Sequence, residues 1–254
     1  MASILSSLTT TQIQGLPTAT ISAFTTADWA SVNTAQFFAL TTTQIGAIST
    51  AGVAALSTGV VASMSTDELA QLTTAQIRAL TTAQVVALTT AETAALTSTQ
   101  VAALTTAQVR ALSTADVAAI ETTDLNAMNS AQIATFSTAQ INALGTTQLS
   151  NLETTQLAAI TTAQIASLST TNLDSLTSTQ FAALSTAQIA ALTTAQAANL
   201  ETTDLANLST DQIRALSTAG IGALTGIPPH RAHRAQGHAA GALPGGAVGG
   251  AQMP

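Results

Sequence analysis

The chain has 254 residues and a formal net charge of −7, and only 7% of its residues are charged. Its five basic residues are too few for the phosphate neutralisation that nucleic-acid binding requires, so we expect no nucleic-acid partner. The absence of Cys excludes disulfides and cysteine-based metal sites. Ser and Thr interrupt the apolar residues every few positions, so no stretch approaches the roughly 20 apolar residues of a spanning helix, and we expect no membrane insertion.

The first forty residues carry most of the aromatic side chains. Trp29, Phe37 and Phe38 gather there, and we expect bulkier capping repeats, to about residue 40, that close one end of a repeat array. A ligand-binding patch is the alternative. The opening residues, MASILSSLTT, have no basic segment before their apolar residues, so they do not predict a classical signal peptide.

One eight-residue period runs from Leu8 to Leu224. Every residue whose number is divisible by eight is a sizeable apolar residue, which we call the anchor. Two positions after the anchor is always Ser or Thr, four positions after is usually Gln, and five positions after is a second apolar residue except at Thr93 and Ala197. Octad n denotes the eight residues that begin at anchor 8n, so octad 9 is residues 72–79. A fixed period of this kind indicates a repeat architecture.

A short α-helix in each octad fits this pattern best. In octad 9, Thr73 as N-cap and Gln76 at N3 form a capping box, while Leu72 and Ile77 occupy the two positions of a hydrophobic staple. The invariant hydroxyl one residue later, Thr74 and its equivalents, is the alternative N-cap. That alternative arises because glutamate, which caps helices poorly, occupies the first position in three octads: Glu121, Glu153 and Glu201.

Other regular structures fit less well. Eight residues sweep about 800° of an α-helix, so a continuous helix would let the leucine stripe drift by about 80° per octad. A coiled coil is excluded for the same reason. A β-solenoid with threonine ladders is the alternative, since Thr, Ile and Val suit strands. The octad does not alternate with period two, however, and Ala and Gln are weak strand residues.

Octads of this size must stack on one another. Ordering eight backbones costs more free energy than burying one Leu and one Ile returns. The sequence therefore predicts an all-α solenoid of stacked short helices over residues 1–224, one helix per octad. We expect a thin core of Leu and Ile and an outer surface of Thr, Gln and Ala.

The pattern stops after Leu224. Residues 225–254 are rich in Gly, Pro and Ala and predict a disordered tail. The tail contains all three histidines, His230, His233 and His238. They offer a weak metal-binding cluster, but we interpret histidines in such a tail as non-specific.

We also interpret the charged residues of the array as structural or solvent-exposed, with a binding role as the alternative. The pairs Glu121…Asp124 and Glu201…Asp204 offer oxygen ligands for calcium, but acids near a helix N-terminus also favour the helix dipole, and we prefer that reading. The three array arginines, Arg78, Arg110 and Arg214, share one position, six residues after an anchor. That position predicts an exposed face, where the arginines provide solubility or, alternatively, contact a partner.

No residue set suggests a reaction. The repeat region lacks His, Cys, Lys and Tyr, so the usual general bases and nucleophiles are missing. There is no phosphate-binding loop, dinucleotide fingerprint or zinc motif. We therefore predict that the protein is not an enzyme, and we assign no catalytic, cofactor-binding or metal-binding residues and no cofactor.

The motif L-[ST]-T-A-Q-[IV]-x-A resembles octapeptide tracts of very large bacterial surface and secreted proteins of the adhesin and RTX-like type. The resemblance covers residues 8–224 and implies a secreted or cell-surface structural array. The chain departs from that type because it shows no calcium-binding nonapeptides, no recognisable adhesive head and no secretion signal.

We therefore predict a non-enzymatic structural repeat protein that serves as a spacer, scaffold or filament-forming element. Near-identical units also predict self-association end to end, because one array can continue another. The alternative is a binding module whose regular Thr/Gln ladders face ice, water or a glycan.

Overall fold

The computed structural model describes residues 4–224, and every regular element in that range is helical. The all-α prediction is confirmed, and the β-solenoid alternative is wrong. The physical reason is local: most octads pair the free N–H groups of a helix start with their own hydroxyl and Gln side chains, which a strand does not need.

The described chain forms two compact units that divide between Leu144 and Gly145. The first unit opens with a 3-10 turn, Leu5–Ser7, and continues with α1 (Thr10–Gln14), α2 (Thr18–Ala23), α3 (Thr26–Ala30), α4 (Thr34–Phe38), α5 (Thr42–Gly46), α6 (Thr50–Ala55), α7 (Thr58–Val61), α8 (Thr66–Ala70), α9 (Thr74–Ala79), α10 (Thr82–Ala87), α11 (Thr90–Ala94), α12 (Ser98–Ala103), α13 (Thr106–Ala111), α14 (Thr114–Ala119), α15 (Thr122–Ala127), α16 (Ser130–Ala134) and α17 (Thr138–Ala143). The second contains α18 (Thr146–Asn151), α19 (Thr154–Ala159), α20 (Thr162–Ser167), α21 (Thr170–Asp174), α22 (Ser178–Ala183), α23 (Thr186–Ala190), α24 (Thr194–Asn199), α25 (Thr202–Asn207), α26 (Thr210–Ala215) and α27 (Thr218–Leu224). Helix and octad numbers therefore coincide.

The helix starts follow the predicted capping box. Thr73 has extended backbone angles (φ −67°, ψ 158°), and its Oγ1 accepts from the N–H of Gln76 at 3.2 Å. In return the N–H of Thr73 donates to Oε1 of Gln76 at 2.8 Å. The first hydroxyl position is thus the N-cap, and the alternative that placed the cap at Thr74 is wrong because Thr74 is the first helical residue.

The octad with Glu153 at the N-cap keeps half of this arrangement. The side chain of Glu153 makes no capping hydrogen bond, yet its N–H donates to Oε1 of Gln156 at 3.0 Å. A glutamate can therefore replace Thr at this position, because the return bond from the backbone does not depend on the N-cap side chain.

From α1 to α26, each helix has its C-cap at the next anchor or one or two residues before it, and the chain turns there without a left-handed residue. Leu80 closes α9 with φ −56° and ψ 133°, and its N–H donates to the carbonyl of Ile77 at 3.2 Å. No described residue has positive φ. The anchor and the next N-cap, Thr81, thus form an extended corner between successive helices.

The core consists of the two apolar positions of each octad. Ile77, Val109 and Leu157, five positions after their anchors, are 0% exposed. The anchors are nearly as buried, with Leu72 at 3% and Leu80 at 4%. Burial of each such side chain contributes about 1.5–3 kcal/mol, which makes stacking favourable where a lone octad is not.

Within each unit, a helix packs on the third helix along the chain. In the first unit this gives the series α3, α6, α9, α12 and α15; in the second it gives α18, α21, α24 and α27. Each unit is a helical solenoid of successive coils, as the octad pattern predicts.

Candidate functional site: glutamine rungs between coils

The feature that most distinguishes this solenoid is a buried glutamine amide that bonds in two directions. Gln108 is 2% exposed, and its Oε1 accepts from the N–H of Thr105 at 2.7 Å, which completes its own capping box. Its Nε2 donates to the carbonyls of Ile77 and Leu80 at 2.7 and 2.8 Å. We call such a side chain a rung, because it joins an octad to the octad four earlier and to the anchor that follows that octad.

Rungs recur through both units with little variation. In each, Nε2 donates to the carbonyl 28 residues earlier, that of an anchor, at 2.7–3.0 Å. The rungs of the first unit are Gln36, Gln44, Gln76, Gln84, Gln100, Gln108, Gln132 and Gln140, and those of the second include Gln180, Gln188, Gln196 and Gln212.

The rungs satisfy carbonyls that a short helix leaves free. The last carbonyls of any helix have no intrahelical partner, and in helices of four to seven residues they are a large share of the backbone. Because water is excluded between coils, a side-chain donor must replace it. Each helix packs on the helix three octads away, and each rung reaches the end of the octad four earlier. One superhelical turn therefore takes between three and four octads.

The prediction that Gln lies on the outer surface is therefore wrong. Most Gln side chains four positions after an anchor are buried, because the amide is drawn between coils by its two sets of partners. The sequence contained a signal for this. Glu completes a capping box as well as Gln does, yet the array uses Gln at most N3 positions, and only Gln adds a donor.

Aspartate at N3 makes a different connection. Oδ1 of Asp116 accepts from Oγ1 of Thr90 at 3.2 Å, and Oδ1 of Asp204 accepts from Oγ of Ser178 at 3.3 Å. Asp124 accepts in the same way from Ser98. The shorter, acceptor-only side chain thus bonds the first helical residue three octads earlier.

The acidic pairs are not assembled into a calcium site. Asp124 is 7% exposed and bonds inward, whereas Glu121 is exposed at its N-cap. Asp204 likewise is 5% exposed, and burial raises its pKa, the charges of Glu201 and Asp174 adding to the rise while the bond from Ser178 opposes it. Across residues 4–224 there is no group of three or more His, Asp or Glu side chains suited to a metal ion.

The remaining candidate residues lie where their repeat positions place them. Arg78, Arg110 and Arg214 are exposed, as predicted, and Arg214 lies 3.6 Å from Asp211. His230, His233 and His238 lie outside the described residues. In the part of the chain that the structure covers, no helix is both long and apolar enough to cross a membrane.

The N-terminal aromatic residues do not form a shared ligand patch. Trp29 and Phe37 are core residues with 0% exposure, and the ring of Trp29 packs edge-on against Phe24 at 5.9 Å. Phe38 faces away, with 48% exposure. That these octads cap the array remains a prediction.

Comparison with known proteins agrees with the repeat. A family model, the ALTTAQ repeat, matches residues 21–58, 61–98, 87–114, 117–154, 149–186, 173–201 and 197–226. No curated protein and no solved structure is significantly similar to the chain. The match supports the octapeptide repeat and carries nothing about an adhesin or RTX context. On these matches, which span most of its length, the chain belongs to the ALTTAQ repeat family.

Proposed function

We propose that the protein is a non-enzymatic spacer or scaffold whose function is to hold a fixed length. The observation that carries this proposal is the repeated rung: the amide oxygen of Gln108 accepts from its own helix start, and its amide nitrogen donates to the neighbouring coil. The polar chemistry of the interior therefore serves stacking. The positions left outside are mostly small hydroxyl and alanine residues, with few large side chains to grip a partner.

The proposal also includes a cellular setting. The resemblance to octapeptide tracts of bacterial surface and secreted proteins supports a place outside the cell, where such tracts would hold other domains apart. The alternative is a binding module that uses regular Thr/Gln ladders; a β-solenoid would supply flat Thr ladders better than this helical fold does.

Deletion of whole octads tests the spacer. Removing residues 73–128 takes out seven octads, keeps the phase, and lets Gln132 take the place of Gln76 against Ile45 and Ile48. Seven octads make about two coils, and packed helices lie about 8–10 Å apart, so the first unit should shorten by about 16–20 Å, which we expect to lower the maximum dimension from small-angle X-ray scattering.

The matched control removes residues 73–124, which shifts the phase of the repeat by half an octad. Because the octads on either side of the deletion then no longer match, we expect this variant to lose its cooperative thermal unfolding transition. A folded, phase-preserving variant with an unchanged maximum dimension would contradict the spacer. The same measurement over a concentration series reads out end-to-end association: a maximum dimension that grows with concentration supports filaments, and a constant one rules them out over that range.

A further inference from the structure

Octad 11, residues 88–95, departs from the repeat at both of its interior positions. Glu92 stands where a rung would be, and Thr93 stands where the second apolar residue would be. Both side chains are buried, at 4% and 1% exposure. The octad therefore places two polar groups at positions that elsewhere hold mostly rungs, hydrogen-bonded aspartates and apolar side chains.

Glu92 keeps the capping box but cannot serve as a rung. One carboxylate oxygen accepts from the N–H of Thr89, as Oε1 of Gln108 does from Thr105. The other, Oε1, is buried without a hydrogen-bond partner. A carboxylate has no hydrogen to donate, so the carbonyls of Val61 and Met64, which correspond to those of Ile77 and Leu80, receive no rung.

Thr93 adds a second unpaired group. Its Oγ1 is buried without a partner, while the same position holds Val85 in the octad before and Val101 in the octad after. A hydroxyl without a partner costs desolvation free energy and contributes less apolar burial than valine. Octad 11 thus lacks both the rung and the second apolar side chain that help to stack most octads.

The neighbouring coils give octad 11 one side-chain hydrogen bond, from Thr90 to Asp116, but no rung. In the first unit, every fourth octad from octad 5 carries a rung: Gln44, Gln76, Gln108 and Gln140. The series two octads away has none, and its N3 residues are Asp28, Val60, Glu92 and Asp124. Asp28 accepts instead from the N–H of Ile4 at 3.0 Å, and Asp124 accepts from Ser98. The hydrogen bonds of Glu92 stay within its own octad.

We propose that octad 11 is a built-in joint, the place where the first solenoid unit opens before any other coil does. The local packing of octad 11 is sufficient to argue that it opens. The use of this opening rests on the proposed spacer function: when the spacer is pulled, octad 11 separates reversibly while the rung-bonded coils stay closed. Local openings of this kind occur where buried groups are poorly paired, at a free energy below that of global unfolding.

Hydrogen–deuterium exchange on the full chain tests the joint directly. The amides of Thr93 and Val109 occupy the same position and donate to Thr89 and Thr105 at the same 2.9 Å, so octad 13 is the matched internal reference. We expect the amides of residues 93–96 to exchange about tenfold or more faster than those of residues 109–112. Equal protection of the two octads would overturn the proposal.

A repaired variant supplies the second arm. Glu92→Gln with Thr93→Val restores a rung and an apolar residue, and should slow exchange of residues 93–96 to the rate of octad 13. The control, Glu121→Gln with Thr106→Val, makes the same chemical changes at exposed positions and should leave that rate unchanged. Fast exchange that persists in the repaired variant would also overturn the joint. Neither result bears on whether the array acts as a spacer, which the deletion series decides.

Discussion

Replacing Gln108 by glutamate is expected to lower the free energy of unfolding by about 3–5 kcal/mol, the scale of leaving a buried charge without a partner. The substitution keeps the shape and the bond to the N–H of Thr105. It replaces the donor that now lies 2.7 and 2.8 Å from two carbonyl oxygens by a carboxylate oxygen, which repels them. Urea denaturation followed by circular dichroism measures the loss.

The matched control for this prediction is Gln71→Glu. Gln71 is exposed at the end of α8 and joins no coils, so the same chemical change should cost less than about 1 kcal/mol there. If Gln108→Glu costs no more than Gln71→Glu, the rungs do not hold the coils together and their hydrogen bonds are incidental to stability.

A second large effect is expected at Gly52, which stands at N3 of octad 6 in place of Gln. A Cβ built there would lie 2.5 Å from Cδ1 and 2.7 Å from Nε1 of Trp29, and 3.0 Å from a methyl group of Ile48. Because Trp29 is a rigid ring with 0% exposure, it cannot move aside cheaply. Gly52→Ala should therefore destabilise the protein by about 1–3 kcal/mol, read as a lower midpoint in urea.

Two further variants separate this collision from the general effect of losing a helical glycine. Gly46 lies in α5 with nothing within 4 Å of its built Cβ, so Gly46→Ala should stabilise by about 0.5–1 kcal/mol. In a Trp29→Ile background, Gly52→Gln should become stabilising, because the space is vacated and a new rung can reach the carbonyls of Ile21 and Phe24. An equal cost of Gly52→Gln with Trp or Ile at position 29 would show that the two residues are not coupled.

The local structure was predictable because each octad contains the residues that determine where its own helix starts and which side is buried. Thr73 and Gln76 specify a helix start, Leu72 and Ile77 specify the buried side, and the structure confirms all four roles. These interactions span three to five residues, so the pattern alone reveals them.

The contacts between coils were not predictable in the same way. The bond from Gln108 to Ile77 spans 31 residues, and nothing within one octad indicates whether the third or the fourth octad lies beside it. The near-exclusion of Glu from N3 was the available signal, and it indicates a donor without naming its acceptor. Gly52 could be recognised as an interruption of the Gln pattern, but only the packing shows that the ring of Trp29 fills the vacated space.

The central claim is that residues 32 apart in sequence lie on adjacent coils, and paired spin labels test it most directly. The chain has no Cys, so labels on Arg78→Cys and Arg110→Cys, two exposed positions beside a rung, report one distance. Packed helices are about 8–10 Å apart, so with the label linkers we expect a narrow distribution below about 25 Å.

The comparison pair, Ala62→Cys with Arg78→Cys, is only two octads apart and should lie on opposite sides of a coil. The solenoid predicts that the 32-residue pair is the closer of the two. A 78–110 separation near 48 Å, the length of about 32 residues in a straight helix, or a separation larger than that of the 62–78 pair, would contradict it.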